Sequence, residues 1–331
     1  MRFAIRLIEY LGRPSELVRL AVAAEKAGFD AVWFPHDSFM RNTWVLTSAA
    51  ATATSRIELG TVGTNPYTTD PSEIATYIAT LDELSGGRAL LGLGLHTGEM
   101  VEWVGIDTSD VIQRTREAVE IVRRLLRGEV VEYRGQAFQW SDQCYLRFTP
   151  LRSEIPVYVA AFGEDYLEMA GAVGDGALPM MTPPQSAPRM IAPIRRGAEQ
   201  AGRDFSNVVV SGCTWLSLSQ TAGAAADKMR NMAAYFGPYL EDESLRAVGL
   251  SAADFAPIKA LIDSAQYDAA FAQVTDEMLQ LGIVGAARDV IRQIEALAGA
   301  GVAEVNLGGP LGPDPLEAIQ LMGREVIPYF R

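Results

Sequence analysis

Lysine, histidine and cysteine are all scarce in this chain of 331 residues. Lys26, Lys228 and Lys259 are the only lysines, so a Schiff-base mechanism has few candidates. Cys144 and Cys213 lack metal-type spacing and imply no disulfide framework. Positive charge is also short: 28 basic against 41 acidic residues leaves a net charge of −13. Nucleic acid and anionic membrane surfaces are therefore poor partners, although a local basic pocket for a small anion stays open. No run of 18 apolar residues exists, so no membrane span is expected. The N-terminal segment lacks the apolar stretch of a secretory signal, and the expectation is a soluble cytoplasmic protein. Neither a phosphate loop of the G-x-x-x-x-G-K-[ST] kind nor a G-x-S-x-G elbow occurs.

What is present is a rhythm. Short apolar runs at 3–9, 31–34, 57–62, 89–93, 155–161, 176–180, 208–217 and 304–308 read as strands. Helix-like runs separate them, several opened by proline and closed by glycine, as at Pro14 and Gly28. Two segments break the pattern: 130–150, polar and aromatic, reads as a hairpin, and 221–281 reads as interrupted helix. Eight strands alternating with helices predict an α/β fold, a parallel (β/α)8 TIM barrel. We expect one domain, 1–331, with insertions at about 129–150 and 218–285.

In such barrels the chemistry sits where strands end. Glu9, closing an apolar first strand, would be half buried, and burial suits a carboxyl group to general-acid work; the alternative is a partner for a neighbouring arginine. In the stretch from Gly60 to Tyr67, glycines allow a ligand close to the backbone, Asn65 can offer an amide and Tyr67 a stacking face; a plain tight turn is the alternative. Gly94 and its neighbours follow strand four but do not form G-x-G-x-x-G. His36 and His96 both fall at strand ends. A metal held by the two with Glu9 or Asp37 is the less favoured reading, and no metal is expected.

The block GTNPYTTDPSEIATYIATLDELSGGRALLGLG, with GAEQAGR, GDGAL and the C-terminal GGPLGPDPLEAIQLMGREVIPYF, resembles the luciferase-like barrel oxidoreductases, above all the methylene-tetrahydromethanopterin reductases. The resemblance implies a barrel with an insertion, a homodimer, and a cofactor lying over a bulge in strand three with a non-prolyl cis peptide near Val62–Gly63. It also implies that Glu9 handles the proton. After strand four the deazaflavin enzymes read Gly-Pro-Gly-Asp, where this chain reads Gly94-Leu95-His96-Thr97. Pro35-His36-Asp37 departs from their usual Asp-His. These departures favour a related branch, the flavin-independent methylenetetrahydrofolate reductases. The expectation is hydride transfer from NADH to 5,10-methylenetetrahydrofolate, with Glu9 protonating N10 to open the ring. Val62, Gly63, Thr64, Asn65, Gly94, His96 and Thr97 are assigned to the cofactor, and His36, Tyr67, Glu99 and Trp215 to the substrate. The alternatives are a reductase using the deazaflavin coenzyme F420, an FMN enzyme, and a barrel that binds a ligand without catalysis.

Overall fold

The computed structural model describes residues 1–95 and 98–331. Its strands, in chain order, are β1 (Arg2–Arg6), β2 (Ala31–Pro35), β3 (Glu58–Thr64), β4 (Ala89–Leu93), β5 (Tyr133–Arg134), β6 (Gln139–Trp140), β7 (Val157–Ala161), β8 (Gly176–Pro179), β9 (Val209–Leu218), β10 (Gly282–Gly285) and β11 (Glu304–Leu311). Eight of them, β1, β2, β3, β4, β7, β8, β9 and β11, pair in parallel in that order, and β11 returns to β1. This is the closed (β/α)8 barrel that the strand rhythm predicts.

Local chemistry explains the helices between them. The one at Pro71–Ser85 starts on Asp70, whose side chain accepts from the Ser72 amide, and stops at Gly86 in the left-handed region. Pro14–Ala27 has its proline at the first turn and Gly28, with φ 92°, at its end.

Size complementarity fills the barrel interior. Trp33 lies against Gly60, and Tyr158 against Gly176, where in each case a Cβ would enter the ring. The two rings meet edge-on with centroids 5.3 Å apart. Below them Arg2 pairs with Glu58 and, at 3.0 Å, with the fully buried Glu304. Burial pushes the Glu304 carboxyl up, opposed by Ser211 and Arg2. Above the rings lies the mouth.

The segment at 130–150 does contain a hairpin, β5 with β6. Glu117, on helix Val111–Leu126, holds it by accepting from the amides of Gln136, Ala137 and Phe138 at 2.7–3.1 Å. Burial would raise the Glu117 carboxyl, but Gln113 and these amides outweigh it and hold it below the usual value. A lowered carboxyl stabilises the fold above its unfolded pKa and loses that contribution as pH falls through the folded value. Glu117→Gln is expected to cost about 1–3 kcal/mol at pH 7. In urea titrations the difference should shrink below about pH 4.

Several boundaries differ from expectation. β1 ends at Arg6; Leu7 keeps one hydrogen bond to β2, and Glu9–Leu11 is then a 3-10 turn. β3 runs on to Thr64. The segment 221–281 divides into helices Ala222–Phe236, Asp242–Arg246, Ala252–Asp263 and Tyr267–Ala272. β10 was not foreseen: four residues of apolar and glycine character after a helical tract carry too little pattern. No described helix is long and apolar enough to cross a membrane.

Candidate active site

The mouth is built from the C-terminal ends of the barrel strands. Among the described residues, three of the four non-glycine ones with positive φ fall there: Phe39 (64°), Met181 (53°) and Leu311 (66°). Left-handed backbone at such residues costs about 1–2 kcal/mol each and collects at functional sites.

The expected bulge is present. The pairing of β3 with β4 slips between Thr61 and Thr64, and Gly63 has φ 72°. Val62 accepts the His36 amide at 2.9 Å, and Thr64 accepts the Gly94 amide at 2.9 Å. The cis peptide expected near Val62–Gly63 is not found; among the described residues the cis bond is Gly309–Pro310.

Two orphaned nitrogens lie on or just beyond β2. Trp33 Nε1 and His36 Nδ1 are buried without a hydrogen-bond partner. Burial pushes the His36 imidazole down, against Asp37, so it is neutral at neutral pH. Leaving such a nitrogen unpaired costs about 1–3 kcal/mol, which a polar ligand edge would recover.

Other assigned residues turn elsewhere. The Tyr67 hydroxyl donates to Asp110 at 2.6 Å and to the Thr108 carbonyl at 3.1 Å, and Arg114 covers its ring at 4.6 Å. It anchors the loop to the helix at Val111–Leu126, with one face of its ring taken by Arg114. Asn65 Oδ1 accepts from the amides of Tyr67 and Thr68 and from the Thr68 hydroxyl, so its carbonyl shapes a turn. The Thr64 hydroxyl donates to Thr61. Gly94, φ 140°, is required by β7, because a Cβ there would enter the Ala160 carbonyl. Trp215 is buried on β9, its ring 6.3 Å from Phe236 of the helix at Ala222–Phe236. His96 and Thr97 lie outside the described residues, as does the Glu99 side chain. The two-histidine metal arrangement lies outside them with His96.

Glu9 stands at the mouth, but on the 3-10 turn past the strand and half-buried. Among the described residues its carboxylate has no hydrogen-bond partner. The charged side chain that β1 itself places inside is Arg6, 6% exposed. It shares the inward face with Ala4, two residues earlier. Sequence reading gave Arg6 no role; its parity with a small inward residue was the available signal. Of the described cavities, one of about 180 Å³ flanks the β7 end at Phe162–Glu164. Another, about 440 Å³, lies by Tyr145–Pro150, away from the strand ends that carry Arg6 and His36.

Residues 4–304 match the luciferase-like monooxygenase family. The 5,10-methylenetetrahydromethanopterin reductase of Archaeoglobus fulgidus is 32% identical, covering 100% of each chain. The F420-dependent glucose-6-phosphate dehydrogenase of Gordonia bronchialis is 31% identical over 59% of this chain and 62% of its own. The solved coenzyme F420 dependent tetrahydromethanopterin reductase from Methanopyrus kandleri superposes with a TM-score of 0.94 at 29% identity, covering 100% of this chain and 99% of that one. The expectation of NADH and methylenetetrahydrofolate finds no support among these proteins, whose names carry F420 and a methanopterin instead. The departures after β2 and β4 were too local a basis for choosing the electron donor.

Proposed function

The chain belongs to the luciferase-like monooxygenase family, a family of oxidoreductases, and on that premise we propose that it is a deazaflavin-dependent oxidoreductase exchanging a hydride with a small substrate. What carries the reading is a likeness to the archaeal reductases that runs the whole length of the chain. The mouth offers partners for a flat heteroaromatic ring. His36 Nδ1 is an orphaned partner for a polar ring edge, and the backbone of Val62, Gly63 and Thr64 would lie beneath it. When bound, the deazaflavin supplies two-electron hydride chemistry. The protein's part is to hold the ring, exclude water and place a proton. Glu9 is the residue we assign to the proton. Likeness alone puts a methylene-tetrahydropterin first among the acceptors to try. We retain one barrel unit with two insertions. A homodimer fits the exposed Val45 and Tyr77 on helices Thr43–Ala53 and Pro71–Ser85, and light scattering reads it out.

Titration of the purified protein with oxidised deazaflavin, FMN and NADH tests the cofactor. Saturable binding is expected for the deazaflavin alone. Binding of FMN or NADH without deazaflavin overturns the proposal. His36→Leu is expected to weaken deazaflavin binding about tenfold, the size of one buried hydrogen bond.

A further inference from the structure

Arg6 is a buried cation with no counter-charge among the described residues. Its Nη1 donates to the Asn306 carbonyl at 2.9 Å and to Asn306 Oδ1 at 3.4 Å, and its Nη2 to the Thr214 carbonyl at 3.2 Å. All three partners are neutral oxygens. Among the described residues no carboxylate lies within ion-pair distance. Glu304, two residues before Asn306 on β11, is taken by Arg2 at 3.0 Å and by the Ser211 hydroxyl at 2.7 Å. Glu9 lies on the turn beyond the strand.

The fold makes room for this group. The guanidinium lies on the face of Gly308, where a Cβ would stand 2.5 Å from Nη2, 3.1 Å from Cζ and 3.2 Å from Nε. Any other residue at 308 would push the guanidinium aside. A guanidinium keeps its proton at any working pH, so burial cannot neutralise it. A buried charge held only by neutral groups is costly unless something supplies the opposite charge. Its five N–H donors exceed the three oxygens that accept from it, and its one further described contact is the uncharged Cys213 thiol.

We infer that Arg6 determines acceptor specificity: it receives an oxygen that is negatively charged, or becomes so, on the molecule that takes the hydride. The inference rests on the proposed cofactor class and deepens it by naming the acceptor as a carbonyl compound. With a reduced deazaflavin as two-electron donor, a C–H bond forms at the carbonyl carbon and the C=O π pair moves onto oxygen. That oxygen is held by the guanidinium and takes its proton from Glu9 or water, giving an alcohol. A methylene-tetrahydropterin must instead pass through a cationic iminium. A fixed buried cation at about 5 Å opposes that charge by on the order of a hundredfold in rate at an effective dielectric near 20.

Benzoate, benzamide and benzamidinium share a shape and differ in charge. For the unaltered, coenzyme-free protein, calorimetric dissociation constants are expected to rise in that order. Benzoate should bind at least about tenfold tighter than benzamidinium, as a charge-assisted bidentate contact implies. In Arg6→Gln the preference is expected to collapse, and in Arg6→Lys to survive in part. A merely structural arginine would leave this charge selectivity unmoved. Benzoate binding no tighter than that of benzamidinium, or none at all, overturns the inference, and so does an Arg6→Gln protein that keeps the preference. Should Arg6→Gln fail to fold, the series on the unaltered protein still decides. Deazaflavin affinity of Arg6→Gln should stay within about threefold of the parent; a loss matching that of benzoate would place the coenzyme on Arg6 and overturn the assignment to the acceptor. With reduced deazaflavin, kcat/KM is expected to be higher for ketones or aldehydes than for methylene-tetrahydromethanopterin, and the reverse order overturns it. The probe series uses no coenzyme, so failure of deazaflavin binding sinks the proposed function alone.

Discussion

Glu9→Gln is expected to lower turnover roughly a hundredfold at saturating reduced deazaflavin, with little change in coenzyme affinity. Either acceptor needs a proton at this end of the barrel: a pterin to open its ring, a carbonyl to quench its alkoxide. The Glu9 backbone is held firmly. Its carbonyl accepts from Arg41 Nη1 at 3.2 Å and from the Gly12 amide at 3.2 Å, and Arg41 also ties down the Gly12 carbonyl at 3.1 Å. No described residue engages the carboxylate, which leaves it available to a ligand. Partial exposure lets water reload the proton between turnovers. The glutamine keeps the volume and cannot donate as an acid. Glu16→Gln is the control, because that carboxylate serves the helix cap by accepting from the Arg13 amide at 2.5 Å. Near-normal kcat for Glu9→Gln, measured by oxidation of the coenzyme, would remove Glu9 from the mechanism.

Gly60→Ala is expected to destabilise the fold by about 3 kcal/mol, at the upper end of overpacking costs. The new Cβ would lie within the six-membered ring of Trp33, which is fully buried and edge-on to Tyr158. An exposed side chain would swing away; this one is enclosed by the barrel wall. Urea midpoints with unchanged m values give the measurement. Combining Gly60→Ala with Trp33→Leu should show a coupling of about 1 kcal/mol or more, since the second change vacates the contested space. Additive effects would mean that Trp33 does not fill that space.

The architecture was readable because barrel strands buried on both faces write themselves as uninterrupted apolar runs. β4, Ala89–Leu93, matches its expected span end for end. The end of β1 was not readable, since Leu7 and Ile8 continue the apolar character while the backbone turns. Asn65 and Tyr67 illustrate a second limit. Their residue types suit a ligand, and the same types suit an Asx turn and a helix anchor; only distances separate the readings. Arg6 illustrates a third. One arginine in a strand looks like an edge or surface residue until closure of the barrel places Gly308 opposite it. The NADH expectation rested on a few residues after β2 and β4, whereas the likeness to the archaeal reductases runs along the whole chain.

β9 has one flank on β11, while its other flank meets β8 at Val209 and Val210 and β10 from Trp215 to Leu218. The seam between the sixth and seventh staves is therefore parted at the top and stitched to the inserted block. That block cannot swing as a door, because opening it would tear a parallel ladder and drag Trp215 with it. It acts as a fixed jamb on that side of the mouth, while Phe39 and Trp103 stand exposed at the other rim.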